Sequence, residues 1–580
     1  MIARLITILY ALLLTGVTFA YDFREGDFCY NITGEHTVEL TYDVFQNAYS
    51  SIQDATIPDS ICNNGTIYHV TAIADWAFAG CSSLKKLNLP NSITTIGAYA
   101  FYYTSQLYSV SLGQMVKSID DFAFSHSNIS SINLPNSLTT IGKYVFEESR
   151  LSSVTIPNSV QSLGESVFLG CSRLSKATVG QSVKIIPQEA FSRCTSLNNL
   201  VLPDSLVEIG ASAFNACAKL STIRVPSTVV QIGVNAFANT LWYDNLPDGE
   251  VYINRILYKY KGNMPANTQI VVVDSTTTIV AGAFYQCTNL NSIHIPKSVI
   301  RIGFPLFRSC PNLSRVTIDE NNPMYDSRNN SNAIIETATN TLLAGCPKTT
   351  IPNSLVVVGE RAFESCSGLR TILIPNSVRK IGESAFYGCS SLERIYMEVG
   401  VETINESAFG CCSALKSIKI PNSVENIGYG AFSYCTSLNN ITLGNSVSFI
   451  DDYTFAGCYS LEYILCEALE PPVLQTNVFF DINTSSITLY LPATAINVYC
   501  QTPIWKDFII KDKSSVPTSI VSTIDDDFLG GLVVISGKVQ YDKPFILYDM
   551  NGRDVTAANG TLHGPHILCT NQTRIKLLIP

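Results

Sequence analysis

The sequence predicts a β-rich solenoid with coils of about 23 residues built on short parallel strands, followed by a small C-terminal β-sandwich-like domain. Three observations lead there. An Ala-Phe pair or a close equivalent recurs with its Phe at 78, 101, 124, 146, 168, 191, 214, 237, 284, 307, 363, 386, 409, 432 and 455, in steps of 22 or 23 residues apart from one of 47 and one of 56. A fixed period of this length is the mark of stacked repeats, each too small to bury its own apolar edge. Within a repeat, segments such as Leu200-Val201-Leu202-Pro203 alternate with the period of a strand and end on a proline, which cannot donate to a ladder. Finally, 46% hydrophobic and 14% charged residues exclude wholesale disorder, and 34 Gly, 25 Pro and 28 Tyr suit many short strands and turns.

The elements follow in chain order. Residues 1–20 read as a secretory signal peptide: Arg4, an apolar run from Leu5 to Leu14, then small residues at Thr18 and Ala20 before the cut. That run is too short to span a bilayer, which needs roughly 20 apolar residues. Residues 21–67 alternate like strands without the repeat and form an N-terminal cap over the open end of the stack. The solenoid occupies 68–466, roughly seventeen coils once the step of 47 is taken as a degenerate unit around Tyr243 to Val273 and the step of 56 as an enlarged unit around Asp319 to Pro352. In the unit from Leu197 to Leu220, a strand of about three residues leads to Ile209-Gly210, a turn, and to a Phe-bearing segment too short for more than a turn or two of helix. Residues 467–515, with Pro471-Pro472 and Trp505-Lys506-Asp507-Phe508, form a C-terminal cap. A Lys/Ser-rich linker at Lys511 to Ser519 leads into 516–580, where Leu532 to Ile535, Phe545 to Tyr548 and Ile575 to Ile579 alternate around Gly turns as a small β-domain.

The L-x-x-L-x-L pattern followed by Ile374 to Val378, Ile381-Gly382, Ser384 to Phe386 and Gly388 to Leu392 resembles the BspA-like leucine-rich repeat family of surface proteins. The inserts Trp242 to Tyr252 and Asp319 to Pro347 resemble elements of its bacterial members, as does the C-terminal cap. The resemblance implies surface display and adhesion, in some members to host matrix and plasma proteins. In the tail, Leu547 to Val555 resembles the sorting domain that some Bacteroidota attach to cargo of the type IX secretion system, which would attach the chain to the envelope; the chain departs from that pattern at Gly564-Pro565-His566-Ile567 and at its Leu577 to Pro580 end.

Eighteen cysteines in an exported chain first suggest disulfides. Eleven of them, however, stand three residues after a ladder Phe, where other coils carry Thr104, Ser127, Ser149 or Thr240, so they read as small buried thiols. Cys29 and Cys62, outside that position, are the best disulfide candidates. No C-x-x-C pair joins the six His, and His563, His566 and Cys569 sit in a Gly-Pro turn, so no metal or other cofactor is expected. Neither H-E-x-x-H, G-x-S-x-G, a P-loop nor G-x-G-x-x-G is present, so no enzyme activity is expected, and Asp525-Asp526-Asp527 read as a solvated turn.

Function is then sought on the surface. Strand residues eight and ten places after each ladder Phe (seven and nine in the short units) point away from the core and line one ribbon. Across fourteen coils none of these is acidic and six are basic, on a chain whose formal charge is −10. The candidate protein-binding residues are Lys86, Lys176, Arg224, His294, Arg315, Arg394, Tyr396 and Lys419. The acidic balance, without a basic run, argues against nucleic acid. The expected protein is a secreted or cell-surface adhesin or protein-binding scaffold for extracellular proteins, without a transmembrane helix; the alternatives are a structural envelope protein with no specific ligand and an enzyme with an unrecognised site.

Overall fold

The computed structural model describes residues 21–42 and 49–516, and beyond them the strand backbones Val533–Ile535, Lys538–Gln540, Ile546–Asp549, Gly564–Cys569 and Arg574–Ile579. The expected leader at 1–20, Asp525 to Asp527 and His563 lie outside the described residues, as do the side chains of His566 and Cys569. The chain forms a β-solenoid of about 19 turns and divides into two compact units, Met1–Tyr258 and Lys259–Pro580, the division falling within the strand Ile256–Lys261. Both units are built from the same coil.

A regular coil has three parts. The first is a strand of three or four residues, as at Lys86–Asn88 and Lys176–Thr178 in one unit and Arg315–Ile318 and Arg394–Met397 in the other. The second corrects the expected Ile-Gly turn. The Ile closes a two-residue strand, as at Thr95–Ile96, Glu208–Ile209 and Lys380–Ile381, and Ile96 pairs in parallel register with Ile73 and Ile119. The following glycine then lets neighbouring coils approach: a Cβ on Gly164 would stand 2.2 Å from the Gly142 carbonyl carbon.

The third part is the Phe-bearing segment, which holds no helix. The residues two places before and two places after the ladder Phe are left-handed, with φ 58° at Tyr99 and 57° at Tyr103, and 54° at Ser212 and 59° at Ala216. Two such residues within five break any helical bonding pattern. The amides are satisfied along the stack instead: Tyr99, Phe101 and Tyr103 donate to the carbonyls of Asp121, Ala123 and Ser125 at 2.8, 2.8 and 3.0 Å.

The cores are ladders of like on like. In the first unit Phe78, Phe101, Phe124, Phe146, Phe168, Phe191, Phe214 and Phe237 stack in sequence at ring separations from 5.1 to 5.9 Å. In the second, Phe363, Phe386, Phe409, Phe432, Phe455 and Phe479 do the same at 4.8 to 5.7 Å. The eleven ladder cysteines are buried and unbridged, and Thr104, Ser127, Ser149 and Thr240 are buried in the same place. Small size is half the reason. The Cys194, Cys217, Cys389 and Cys435 thiols each donate to the carbonyl of the Phe one coil back, at 3.1 to 3.2 Å, and so fill the second lone pair of an acceptor already bonded within its own turn.

Cys29 and Cys62, the best disulfide candidates in the sequence, are not joined. Cys29 faces into the core from the strand Phe28–Gly34, whereas Cys62 faces outward from Ser60–Asn63. At the C-terminal end Trp505 is fully buried and its Nε1 donates to the Pro472 carbonyl at 2.9 Å, closing the last Phe pair with Tyr499 and Phe508. The enlarged unit is an antiparallel insert, Tyr325–Asp326, Ile334–Glu336 and Thr341–Ala344, whose last strand rejoins the parallel stack at Val357–Val358. In the tail, Val533–Ile535 pairs with Lys538–Gln540, and Gly564–Cys569 pairs with both Ile546–Asp549 and Arg574–Ile579, all antiparallel.

Candidate binding face

The outward residues of the first strands stand in register from coil to coil, but not as one uninterrupted ribbon. In the first unit Asp54–Thr56, Lys86–Asn88 and Ser109–Ser111 form one parallel sheet, and Ser153–Thr155, Lys176–Thr178 and Asn199–Val201 another. Between them only an isolated bridge joins Ser109 to Ser131, in the first of the two 22-residue coils, and Thr222 and Arg224 belong to no strand. Lys86 and Lys176 project outward and are exposed. Arg224 is exposed as well, with its Nη1 3.5 Å from Asp204.

The acid-free ribbon is corrected at this end. Asp54 stands directly opposite Lys86 in the ladder, its carboxylate 3.9 Å from Nζ. A pair as exposed as this contributes well under about 1 kcal/mol, yet it cancels the local positive charge. Asp54 escaped sequence reasoning because its coil lies 32 residues before the next rather than 23. The signal was present: Ala55-Thr56-Ile57-Pro58 repeats the pattern of Leu87-Asn88-Leu89-Pro90.

In the second unit the register runs Ser292 to Arg315, His294 to Thr317, Thr371 to Arg394, Leu373 to Tyr396 and Lys419 to Thr442. Arg315, Arg394 and Lys419 are exposed; Tyr396 is half-buried on the same face of the strand as Arg394, two residues away. The His294 Nδ1 lies 3.0 Å from the Thr317 hydroxyl, which ties the imidazole into the sheet. Positions that continue the register, Gln269 and Val271 before and Thr488, Tyr490, Ile509 and Lys511 after, add no carboxylate.

The far end of this face is covered by the chain itself. Tyr463, Leu465 and Tyr490 point outward yet are 8%, 7% and 5% exposed, with Val516 packed against them. The expected linker from Lys511 is thus structured at its start: Lys511 and Asp512 belong to the strand Ile509–Asp512, and Lys513 Nζ binds the Glu467 carboxylate at 2.7 Å. A cleft of about 470 Å³ remains beside the covered end, lined by Lys419, Asn422, Thr442, Asn445, Leu465 and Lys513. Among the described residues no group of three or more His, Cys, Asp or Glu side chains is placed to hold a metal, and no helix is long and apolar enough to cross a membrane.

The model of the BspA type leucine-rich repeat region matches residues 39–175, 117–243, 252–334 and 342–462, well over half of the chain. The chain belongs to the BspA-type leucine-rich repeat family. No curated protein matches it. Among solved structures, a leucine-rich repeat protein from Bacteroides ovatus is 26% identical over 81% of this chain and 100% of its own, with a TM-score of 0.39. A leucine-rich cell surface protein from Faecalibacterium prausnitzii is 23% identical over 77% of this chain and 94% of its own, with a TM-score of 0.33. The leucine-rich repeat protein of T. pallidum is 28% identical over 34% of this chain and 90% of its own, at 0.31. The family accounts for the coil.

Proposed function

We propose that this BspA-type protein is exported and held at the cell surface, where it acts as an adhesin or protein-binding scaffold for extracellular proteins, host matrix or plasma proteins among them. The contact surface is the strand face between Ser292 and Thr442, with Arg315, Arg394, Tyr396 and Lys419 as its main contributors and His294 beside them; Lys86, Lys176 and Arg224 are secondary. One observation carries this: the in-register parallel strands present Arg, Tyr and Lys outward with no carboxylate at any equivalent position in the second unit. Arg and Tyr are the residues that dominate protein interfaces, and a positive strip on an acidic chain selects acidic surfaces on a partner. The leader at 1–20 and the sorting-like tail at 516–580 supply the export route and the attachment.

The test is the affinity of the mature chain for immobilised plasma and matrix proteins, compared with the triple variant Arg315→Ser, Arg394→Ser, Tyr396→Ser. Serine or threonine already occupies register-equivalent positions at Ser292 and Thr371, so the fold is retained. Binding should weaken at least tenfold in the variant and should weaken further with salt. Equal binding by a folded variant would refute the strand face as the contact. A wild type that binds none of these proteins but self-associates would favour a structural envelope role.

A further inference from the structure

The turn side of the first unit carries a feature that the stack itself does not require. At the left-handed position two residues before the ladder Phe, other coils carry residues as varied as Ser166, Glu189, Ser212, Asn235, Arg361 and Ser384, with Tyr453 a single aromatic in the second unit. Four successive coils use Trp76, Tyr99, Phe122 and Tyr144, with φ between 56° and 62°. Bulky aromatic residues are poor occupants of that region, so the backbone gives no reason to prefer them there. Their rings form a second stack outside the core, at 4.1, 4.7 and 4.6 Å and within 7° of parallel. Tyr102 sets its edge against Tyr99, and Tyr103 stacks on His126 at 4.3 Å, widening the patch. Trp76 ends the stack with 45% of its surface exposed, and Tyr103 is 41% exposed.

This aromatic patch is rimmed with carboxylates. Asp75 precedes Trp76 and caps the Ala98 amide at 2.7 Å; Asp121 precedes Phe122, and the Tyr99 phenol is raised first by burial and then by the Asp121 charge. Asp120 is held above the usual carboxylate range, first by burial and then by Asp75 and Asp121. Glu147 and Glu148 flank His126, with the Glu148 carboxylate 3.3 Å from Nδ1. The one lysine bonded into the rim, Lys143, pairs through Nζ with Glu165 at 3.1 Å.

We propose that this turn-side patch is a second docking surface, which takes arginine or lysine side chains of an extended basic peptide segment. The argument is charge complementarity joined to ring chemistry. The open face of Trp76 and the exposed Tyr103 ring offer the negative π-face that attracts a guanidinium or ammonium, and the rim carboxylates supply the counter-charge within side-chain reach. A sugar would also stack on such rings and donate its hydroxyls to the carboxylates, but only a cation gains from their charge as well. The surface is separate from the strand face and has the opposite charge preference, so it stands or falls independently of the function proposed above.

The probe is a fluorescein-labelled octapeptide of alternating Arg and Gly, titrated by anisotropy against the folded chain, with a Gln-for-Arg octapeptide and maltoheptaose as comparisons. Two variants are used: Trp76→Ser with Tyr99→Ser, which installs the residue other coils carry, and the exposed Glu148→Gln. The Arg peptide should bind wild type at least tenfold more tightly than the Gln peptide, lose at least tenfold in the double variant and about threefold in Glu148→Gln, and weaken as salt rises. Equal binding of the Arg and Gln peptides, tighter binding of maltoheptaose, or unchanged affinity in a folded double variant would overturn the proposal. Should the double variant fail to fold, unchanged affinity in Glu148→Gln together with salt-independent binding would overturn it equally.

Discussion

Replacing Phe386 by Ala tests the stacking directly, because this ring is fully buried and stands between Phe363 at 4.8 Å and Phe409 at 5.0 Å, tilted by only 8° and 7°. Deleting a buried Phe side chain costs about 3–5 kcal/mol. That range already includes the two lost ring pairs, each worth roughly 0.5–1.5 kcal/mol beyond the buried area, so a total near 4 kcal/mol is expected. In a stack whose coils contact only their neighbours, that loss is local. At about 1.36 kcal/mol per factor of ten, protection of the amides between residues 363 and 432 should fall by up to about a thousandfold. Those amides report the stack itself, since Phe386 donates to the Ala408 carbonyl at 2.7 Å and Phe363 to Ala385 at 2.7 Å. Native-state hydrogen exchange read by mass spectrometry is the assay, with peptides from 78–168 as the internal reference. Unchanged exchange at 363–432 would refute the stacking account. An equal fall at 78–168 would refute its nearest-neighbour form.

Three further outcomes are expected. The ladder thiols, Cys194, Cys217, Cys389, Cys412 and Cys435 among them, should resist alkylation in native protein and react in denaturant; rapid native labelling of most of them would show they are not core groups. Burial pushes the Cys81 and Cys287 thiols up to about 11 and Cys217 and Cys389 up to about 12, from 9.0, so the folded state favours the neutral form. The stability this gives is complete below pH 9 and is lost as pH rises from 9 through 11 to 12, about 1.4 kcal/mol per thiol by pH 10, and a urea midpoint flat from pH 7 to 11 would contradict it. Gly164→Ala should cost about 2–4 kcal/mol, because its Cβ would lie 2.2 Å from the Gly142 carbonyl carbon, and an unchanged melting temperature would show that the coils can part there without cost.

Much of the core was legible because a period repeats its evidence. One Phe proves little, whereas fifteen at a near-constant spacing fix the ladder, and the ladder fixes which side of each strand faces inward. Substitution between coils told that the cysteine position is small and buried. It could not tell that the thiol donates to the Phe carbonyl one coil back, since that bond depends on the rise between coils. The two-residue strand at Thr95–Ile96 was hidden for a related reason: two residues show no alternation, and only the pairing with Ile73 and Ile119 reveals it. The ends resisted most. Asp54 falls outside the period, and the burial of Tyr463, Leu465 and Tyr490 comes from a segment, Lys513 to Val516, that follows the last repeat by some fifty residues.

The same periodicity separates structure from function on the surface. Where a position must serve the stack, equivalent coils converge on one chemistry, as Phe386, Phe409 and Phe432 do in the core. Where coils diverge at a geometrically equivalent position, the stack does not dictate the residue, and a partner is free to. Arg315, Arg394 and Lys419 occupy strand positions filled elsewhere by Ser, Thr and Asn. Trp76, Tyr99, Phe122 and Tyr144 occupy a left-handed turn position that Ser166 and Ser212 fill with less strain. Four of the turn-side aromatics lie in consecutive coils, and Arg394 and Lys419 lie in neighbouring ones, and neighbouring coils are what a single partner can touch at once. The two clusters differ in charge and in the side of the coil they occupy, so the partners proposed for them differ in sign, acidic for the strand face and basic for the turn side.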